Sequence, residues 1–306
     1  MSDEQLLEIS DLTVTYRRGI GRPPFTAVAN VSLSVGRGET VSIVGESGSG
    51  KTTIGSAILG LQPVAGGTIR LGGRDVAHLS PRKRRLLRAT LQAVFQDPYS
   101  SLDPSKTVGD SVAEPLRVAD RRISGAQLRA RTVEILARVG IPAGAVNRYP
   151  AEFSGGQRQR IAIARALILN PEIVVCDEAV SALDVSVQAQ VLNLLEQLRK
   201  DEGISYIFIS HNMAVVRHIS DRVVVLYRGR VMEEGPALDV CDRPQHPYTR
   251  SLIASVPVPD VKASESDARR GPSRAAVLSR PRSRRVARSR PAARSSRIVA
   301  ARPCRP

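Results

Sequence analysis

The chain has 306 residues, with 23 glycines, 20 prolines, 3 cysteines, no tryptophan and a formal net charge of +16. That length buries one sizeable α/β core with a helical insertion, or two small domains. The acidic start Met1-Ser2-Asp3-Glu4 and the lack of any apolar run near the ~20 residues that cross a bilayer predict neither signal peptide nor membrane helix, hence a cytoplasmic protein. Cys176, Cys241 and Cys304 are odd in number and far apart, which matches neither a disulfide framework nor a metal-ligand spacing.

Along the chain, Leu12 to Tyr16 reads as a strand, with Tyr16 its aromatic member. Glu39 to Val44 reads as a buried strand that runs into Gly45-Glu46-Ser47-Gly48-Ser49-Gly50-Lys51-Thr52, and Thr53 to Leu59 as a small-residue helix that leaves it. The loop meets every fixed position of G-x-x-x-x-G-K-[ST]. Its glycines let successive N–H groups turn inward around phosphate oxygens, and the helix adds its positive N-terminal end. Lys51 then reaches the β- and γ-phosphates, and the Thr52 hydroxyl is placed for Mg²⁺. A chain with this loop in this context holds a nucleotide.

Arg82-Lys83-Arg84-Arg85, beside Leu86-Leu87, reads as the solvated side of a helix rather than a binding patch. Residues from about 97 to 165, with amphipathic runs such as Leu128 to Val139, read as a helical subdomain. Phe153-Ser154-Gly155-Gly156-Gln157 opens a helix running through Arg160, Ile161, Ile163, Ala164 and Leu167. The hydroxyl and N–H groups of Ser154, Gly155 and Gly156 there form a second anion site. One nucleotide needs one cradle. Two cradles in one chain serve different nucleotides, or the nucleotide of a different molecule.

Ile173-Val174-Val175-Cys176 precedes Asp177-Glu178, so the two carboxylates stand at the end of a buried strand rather than in a solvated turn. At the carboxyl end of a strand beside the loop, Asp177 can hold Mg²⁺ through its water shell. Glu178, one residue on, is the candidate general base that polarises a water for in-line attack on the γ-phosphorus. Ser181-Ala182-Leu183-Asp184 follows, and His211 stands just past a strand at Ile204 to Ile209. His78, His218 and His246 read as structural.

Phe153 to Gln157 closely resembles the signature sequence of ABC-type ATPases, with Phe153 where leucine is commoner. The phosphate loop, Asp177-Glu178, Ser181 to Asp184 and His211 match in order and spacing, and over about residues 5–258 the chain resembles the nucleotide-binding subunit of an ABC transporter. The resemblance implies an α/β fold, a P-loop NTPase core with an antiparallel β subdomain and an inserted α-helical subdomain. It implies ATP as substrate with Mg²⁺, adenine stacked on Tyr16, and phosphates on Gly45 to Thr52 and Thr53. It places Gln96 near Mg²⁺ and the attacking water, as the relay to a membrane partner. His211 contacts the γ-phosphate and orients Glu178 and the water. Two subunits then pair head to tail, and Ser154, Gly155, Gly156 and Gln157 of one close over the nucleotide of the other.

Phe95-Gln96-Asp97-Pro98-Tyr99-Ser100-Ser101-Leu102-Asp103-Pro104, Ser181 to Gln190 and Arg243-Pro244-Gln245-His246-Pro247-Tyr248-Thr249 resemble the peptide and nickel importer subgroup. Two prolines flanking a polar turn shape a rigid loop suited to docking a partner helix. Ala179 departs from the subgroup, which more often has proline there; the carboxylates themselves are intact. The implied partners are a second ABC ATPase subunit, two membrane permeases and, indirectly, an extracytoplasmic solute-binding protein, at the cytoplasmic face of the membrane. The alternative is a soluble ABC-type ATPase acting on nucleic acid or another non-transport target. No specific nucleic acid is expected as a partner of the importer.

The last segment, set at 259–306, is a different material: from Ala268 onward it holds 13 arginines and no acidic residue. Its composition predicts disorder. Three readings stand for it: attraction to anionic lipid, salt-dependent binding to nucleic acid, or the product of a shifted reading frame in GC-rich DNA.

Overall fold

The computed structural model describes residues 5–19, 21–97 and 101–255. The arginine-rich tail, Cys304 and the Pro98-Tyr99-Ser100 part of the importer-like loop lie outside the described residues.

Two sheets carry the fold. The first is antiparallel, in the order β2-β1-β4-β5, built from β1 (Gln5–Tyr16), β2 (Phe25–Gly36), β4 (Gly66–Leu71) and β5 (Arg74–Asp75). The strand expected at Leu12 to Tyr16 begins seven residues earlier, at Gln5. Asp11 and Asn30 take positive φ where the β1–β2 register shifts, a conformation those two residue types tolerate better than most.

The second sheet has the order β10-β9-β3-β8-β7-β6. Its strands are β3 (Thr40–Val44), β6 (Leu91–Val94), β7 (Ile173–Asp177), β8 (Ser205–Ser210), β9 (Arg222–Tyr227) and β10 (Arg230–Pro236). All neighbours are parallel except the edge pair β9–β10. Both faces are buried, and the strands divide their side chains by parity. Ile173, Val175, Ile207 and Ile209 join one core, with Ile54 and Ile58 of α1 (Lys51–Leu59) and the antiparallel sheet. Val174, Cys176, Tyr206 and Phe208 face the other core, formed with the helices after β6.

Those helices are α3 (Val108–Ala119), α4 (Gly125–Arg138) and α5 (Gly155–Leu167), followed beyond β7 by α6 (Val185–Glu202). The amphipathic run expected at Leu128 to Val139 is α4, capped by a reciprocal Ser124–Gln127 box. In α6 the buried residues Val191, Leu192, Leu194, Leu195 and Leu198 make one apolar stripe at helical spacing. Arg165 ties α5 to its surroundings, donating to the Ser101 carbonyl at 2.7 Å and to Glu114 of α3 at 3.2 Å.

Of the basic run after Ser80, the short helix α2 (Pro81–Arg84) keeps Arg82 and Lys83 exposed. Arg84 departs from the expected solvated side. Its guanidinium turns inward and donates to the carbonyls of Val76 and Ala77, both at 2.9 Å. The described part of the chain closes with α7 (Met213–Ile219), α8 (Ala237–Asp242) and α9 (Pro247–Ala254) beside β9 and β10. No helix among the described residues is long and apolar enough to cross a membrane.

Candidate active site

Four adjacent parallel strands empty at one edge of the second sheet. In spatial order β3 leads into the phosphate loop, β8 into His211, β7 into Asp177-Glu178 and β6 towards Gln96. The registers Val44↔Ser210, Asp177↔Ile209 and Val94↔Cys176 bring these exits level. The carboxyl ends of parallel strands are where an open α/β sheet takes its ligand.

The loop from Gly45 to Thr52 is shaped by its neighbours as well as by its own residues. A Cβ on Gly45 (φ +152°) would lie 2.1 Å from the Leu226 carbonyl oxygen, and one on Gly50 (φ +105°) 2.7 Å from that of Ala27. Only glycine lets β9 and β2 approach this closely. The loop is tied to the β9–β10 turn as well, since the Gly229 N–H donates to the Ser49 carbonyl at 2.8 Å.

Lys51 is only 5% exposed. Its ammonium donates to the carbonyls of Gly45 at 2.8 Å and Glu46 at 2.7 Å. Burial lowers its pKa, against the opposing pull of Glu178, Asp177 and Glu46. A buried cation held by its own loop, next to two carboxylates, is poised to exchange a carbonyl for a phosphate oxygen.

Thr52 at the start of α1 donates its hydroxyl to Asp177 Oδ1 at 3.2 Å. Burial raises the Asp177 pKa, the Thr52 bond partly offsets this, and the charge of Glu178 adds to the rise. Among the described residues no group of three or more His, Cys, Asp or Glu gathers to hold a metal alone. One hydroxyl and one carboxylate suit a hard cation that keeps waters and takes its remaining oxygens from phosphates.

Glu178 takes φ +50°, a left-handed conformation that costs a non-glycine residue about 1–3 kcal/mol. Its surroundings over-determine it. Its N–H donates to the Ile209 carbonyl at 2.9 Å, and its carbonyl accepts from the Ser181 N–H at 3.1 Å and the Ser181 hydroxyl at 2.9 Å. The side chain is turned onto His211, with Glu178 Oε1 3.1 Å from His211 Nδ1. The role of Ser181 in pinning the carboxylate's backbone was not readable from the sequence, where Ser181 served only as a motif member.

Tyr16, 38% exposed, meets Thr53 of α1 through its hydroxyl at 3.3 Å, so the end of β1 is joined to the start of the loop's helix. Its neighbour in register is Phe25, half-exposed, with the Arg18 guanidinium 4.5 Å above the ring. Gln96 is exposed two residues beyond β6, at the same sheet edge.

Ser154, Gly155, Gly156 and Gln157 form a group of their own. Ser154 caps α5, its hydroxyl accepting from the Gln157 N–H at 3.4 Å while its own N–H donates to Gln157 Oε1 at 3.0 Å. In that cap the serine hydroxyl only accepts, so its own O–H can still donate to an anion beside the first amides of the helix. The spacing Ser154-x-x-Gln157 is a capping-box pattern and carried that signal in the sequence. Gly156 has a packing reason as well: a Cβ there would meet Val187 of α6 at 2.3 Å. The structure therefore links the phosphate loop, Thr53, Tyr16, Asp177, Glu178 and His211 through direct contacts. The signature residues bond among themselves.

The chain matches the family described as ABC transporter over residues 28–181, and the oligopeptide/dipeptide transporter C-terminal region over residues 232–282, beyond the 258 at which the sequence resemblance was bounded. It is 48% identical over 262 residues to the oligopeptide transport ATP-binding protein OppF of Escherichia coli K12, covering 83% of this chain and 78% of OppF. It is 55% identical over 232 residues to the glutathione import ATP-binding protein GsiA of the same organism; that match covers 76% of this chain and only 37% of GsiA. Among solved structures it is similar to the dimeric ATP-binding cassette MJ0796 in a post-hydrolysis state with ADP and Pi, at 32% identity and TM-score 0.68, over 76% of this chain and 98% of that one. It is likewise similar to cbiO1 from Clostridium perfringens, at 27% identity and TM-score 0.69, over 78% of this chain and 92% of that one. By its fold, its strand-end chemistry and these relatives, the chain belongs to the ABC transporter family, as an ATP-binding cassette that hydrolyses ATP.

Proposed function

We propose that this ATPase powers the import of peptides or related solutes through partner membrane permeases, at the cytoplasmic face of the membrane. The observation that supports it most is the connected set Lys51, Thr52–Asp177 and Glu178–His211 at one sheet edge, in a chain whose relatives are named for oligopeptide transport and glutathione import. Those relatives favour transport over the nucleic-acid reading.

In this reading the phosphate-loop amides and Lys51 hold the ATP phosphates, and Tyr16 supplies a ring face for adenine. Thr52 and Asp177, with Gln96 nearby, hold Mg²⁺, whose charge offsets that developing on the phosphates. Glu178 accepts the proton of the attacking water, its backbone fixed by Ser181 and Ile209. His211 fixes the Glu178 carboxylate and reaches towards the γ-phosphate. Ser154, Gly155, Gly156 and Gln157 close over the nucleotide of a second ABC ATPase subunit. Closing that dimer moves the permeases, which receive solute from an extracytoplasmic binding protein, and hydrolysis resets it.

Uptake of a labelled tripeptide by cells that carry Lys51→Ala as their sole copy of this subunit tests the assignment. Loss of uptake, with the protein present at normal level, is expected. Undiminished peptide uptake together with abolished ATPase activity would remove peptide import from the reading while leaving the ATPase intact.

A further inference from the structure

The segment Arg243 to Thr249 takes no part in the chemistry above, yet it ends against the phosphate loop. It is fixed from β10, where the Glu233 carboxylate accepts the backbone N–H of Gln245 at 2.8 Å and of His246 at 3.0 Å. His246 then caps α9, its Nδ1 accepting the Tyr248 N–H at 3.1 Å. This delivers the Tyr248 ring onto Tyr227 at the end of β9, with centroids 4.5 Å apart and planes inclined at 45°. The Tyr248 hydroxyl accepts the N–H of Glu46 at 3.2 Å.

That N–H belongs to the peptide unit between Gly45 and Glu46, and the carbonyl of the same unit is the Gly45 oxygen that holds the Lys51 ammonium at 2.8 Å. In a trans peptide the N–H and C=O point in opposite directions within one plane. The unit is therefore gripped on both sides, by Tyr248 from outside the cradle and by Lys51 from within. Gly45 gives the plane its unusual approach to Leu226 but, having no side chain, cannot hold it.

We propose that Tyr248 is a positioning residue of the nucleotide site: it sets the plane of the Gly45–Glu46 peptide and, through it, the seat of Lys51. The C-terminal segment thereby becomes part of the phosphate loop's support. This rests on the reading of the loop as the nucleotide site.

Tyr248→Phe keeps the ring on Tyr227 and removes only the hydroxyl. Loss of one such hydrogen bond weakens ATP binding by about 2- to 10-fold in calorimetric titration. The KM for ATP rises by the same factor, with kcat at saturating ATP within about twofold of the parent. Hydrogen exchange quickens at the Glu46 amide, with other strand-end amides unchanged. A tyrosine that only packs would leave affinity, KM and Glu46 exchange at parental values in this variant, and that result overturns the proposal. Lys51→Ala separates the two readings. If it binds ATP as the parent does, the loop reading fails; if it loses ATP while Tyr248→Phe matches the parent, only the role of Tyr248 fails.

Discussion

Glu178 shows how a single residue is made fit for chemistry. Its left-handed backbone is held by Ile209 and by two donors of Ser181, so the carboxylate leaves the end of β7 towards His211 rather than along the strand. Glu178→Gln keeps the shape and removes the carboxylate proposed as the base. ATP binding is expected to persist while hydrolysis falls by about 10²- to 10⁴-fold, and an ATP-bound dimer should accumulate on size-exclusion chromatography. Full ATPase activity in that variant would take Glu178 out of the role. Lys51→Ala acts earlier, at binding, and its dimer should not form with ATP. Cys176, one residue before Asp177, is a bystander: burial pushes its thiol up to about 12, and it serves as core.

Among the elements, α5 meets α6 tightly at Gly156, where a Cβ would lie 2.3 Å from Val187. Gly156 leaves no room for a Cβ beside Val187, so Gly156→Ala overpacks the junction at a cost of about 1–3 kcal/mol. Each kcal/mol lowers the thermal midpoint by about 2–4 °C in a domain of this size. Adding Val187→Ala should recover much of that loss if the clash is the cause. Recovery of the midpoint without recovery of ATPase activity would show a second demand on Gly156, at the subunit interface. The Ser154–Gln157 cap at the start of the same helix was legible in the sequence as a pattern. What the sequence could not show is that Val187 of α6 comes to rest where a Cβ on Gly156 would sit.

At the scale of the whole molecule the two halves of the expected composite site make separate clusters, one at the sheet edge and one at the start of α5. Homodimers of Ser154→Arg should therefore bind ATP yet fail to hydrolyse it. Mixing them with Lys51→Ala subunits should return heterodimers that retain at most one intact site, with activity that depends on pairing. Normal hydrolysis by Ser154→Arg homodimers would contradict the head-to-tail arrangement. Residues 283–306 lie beyond both family matches and hold eight arginines with no acidic residue. Deleting them should leave ATP hydrolysis unchanged. It should also weaken adsorption to anionic vesicles and to DNA at low salt, since that attraction follows net charge. A fall in ATPase activity on deletion would give the tail a part in the cassette.

The sequence by itself determined which residues stand at the strand ends. The phosphate loop, Asp177-Glu178 and His211 each follow a short apolar strand, and hydrophobic runs ending in polar residues are local patterns that survive being read in one dimension. The antiparallel subdomain and the helical insertion were legible through resemblance to a family. Contacts between residues far apart in the chain were decided only by tertiary structure. Tyr248 lies 202 positions from Glu46, and their hydrogen bond exists because β9, β10 and α9 fold back on the loop. Arg84 likewise turned inward because two carbonyls before α2 faced it, which a run of four basic residues does not reveal. Periodicity fixes which side of an element is apolar; the partners of its polar atoms are set by where the other elements come to rest.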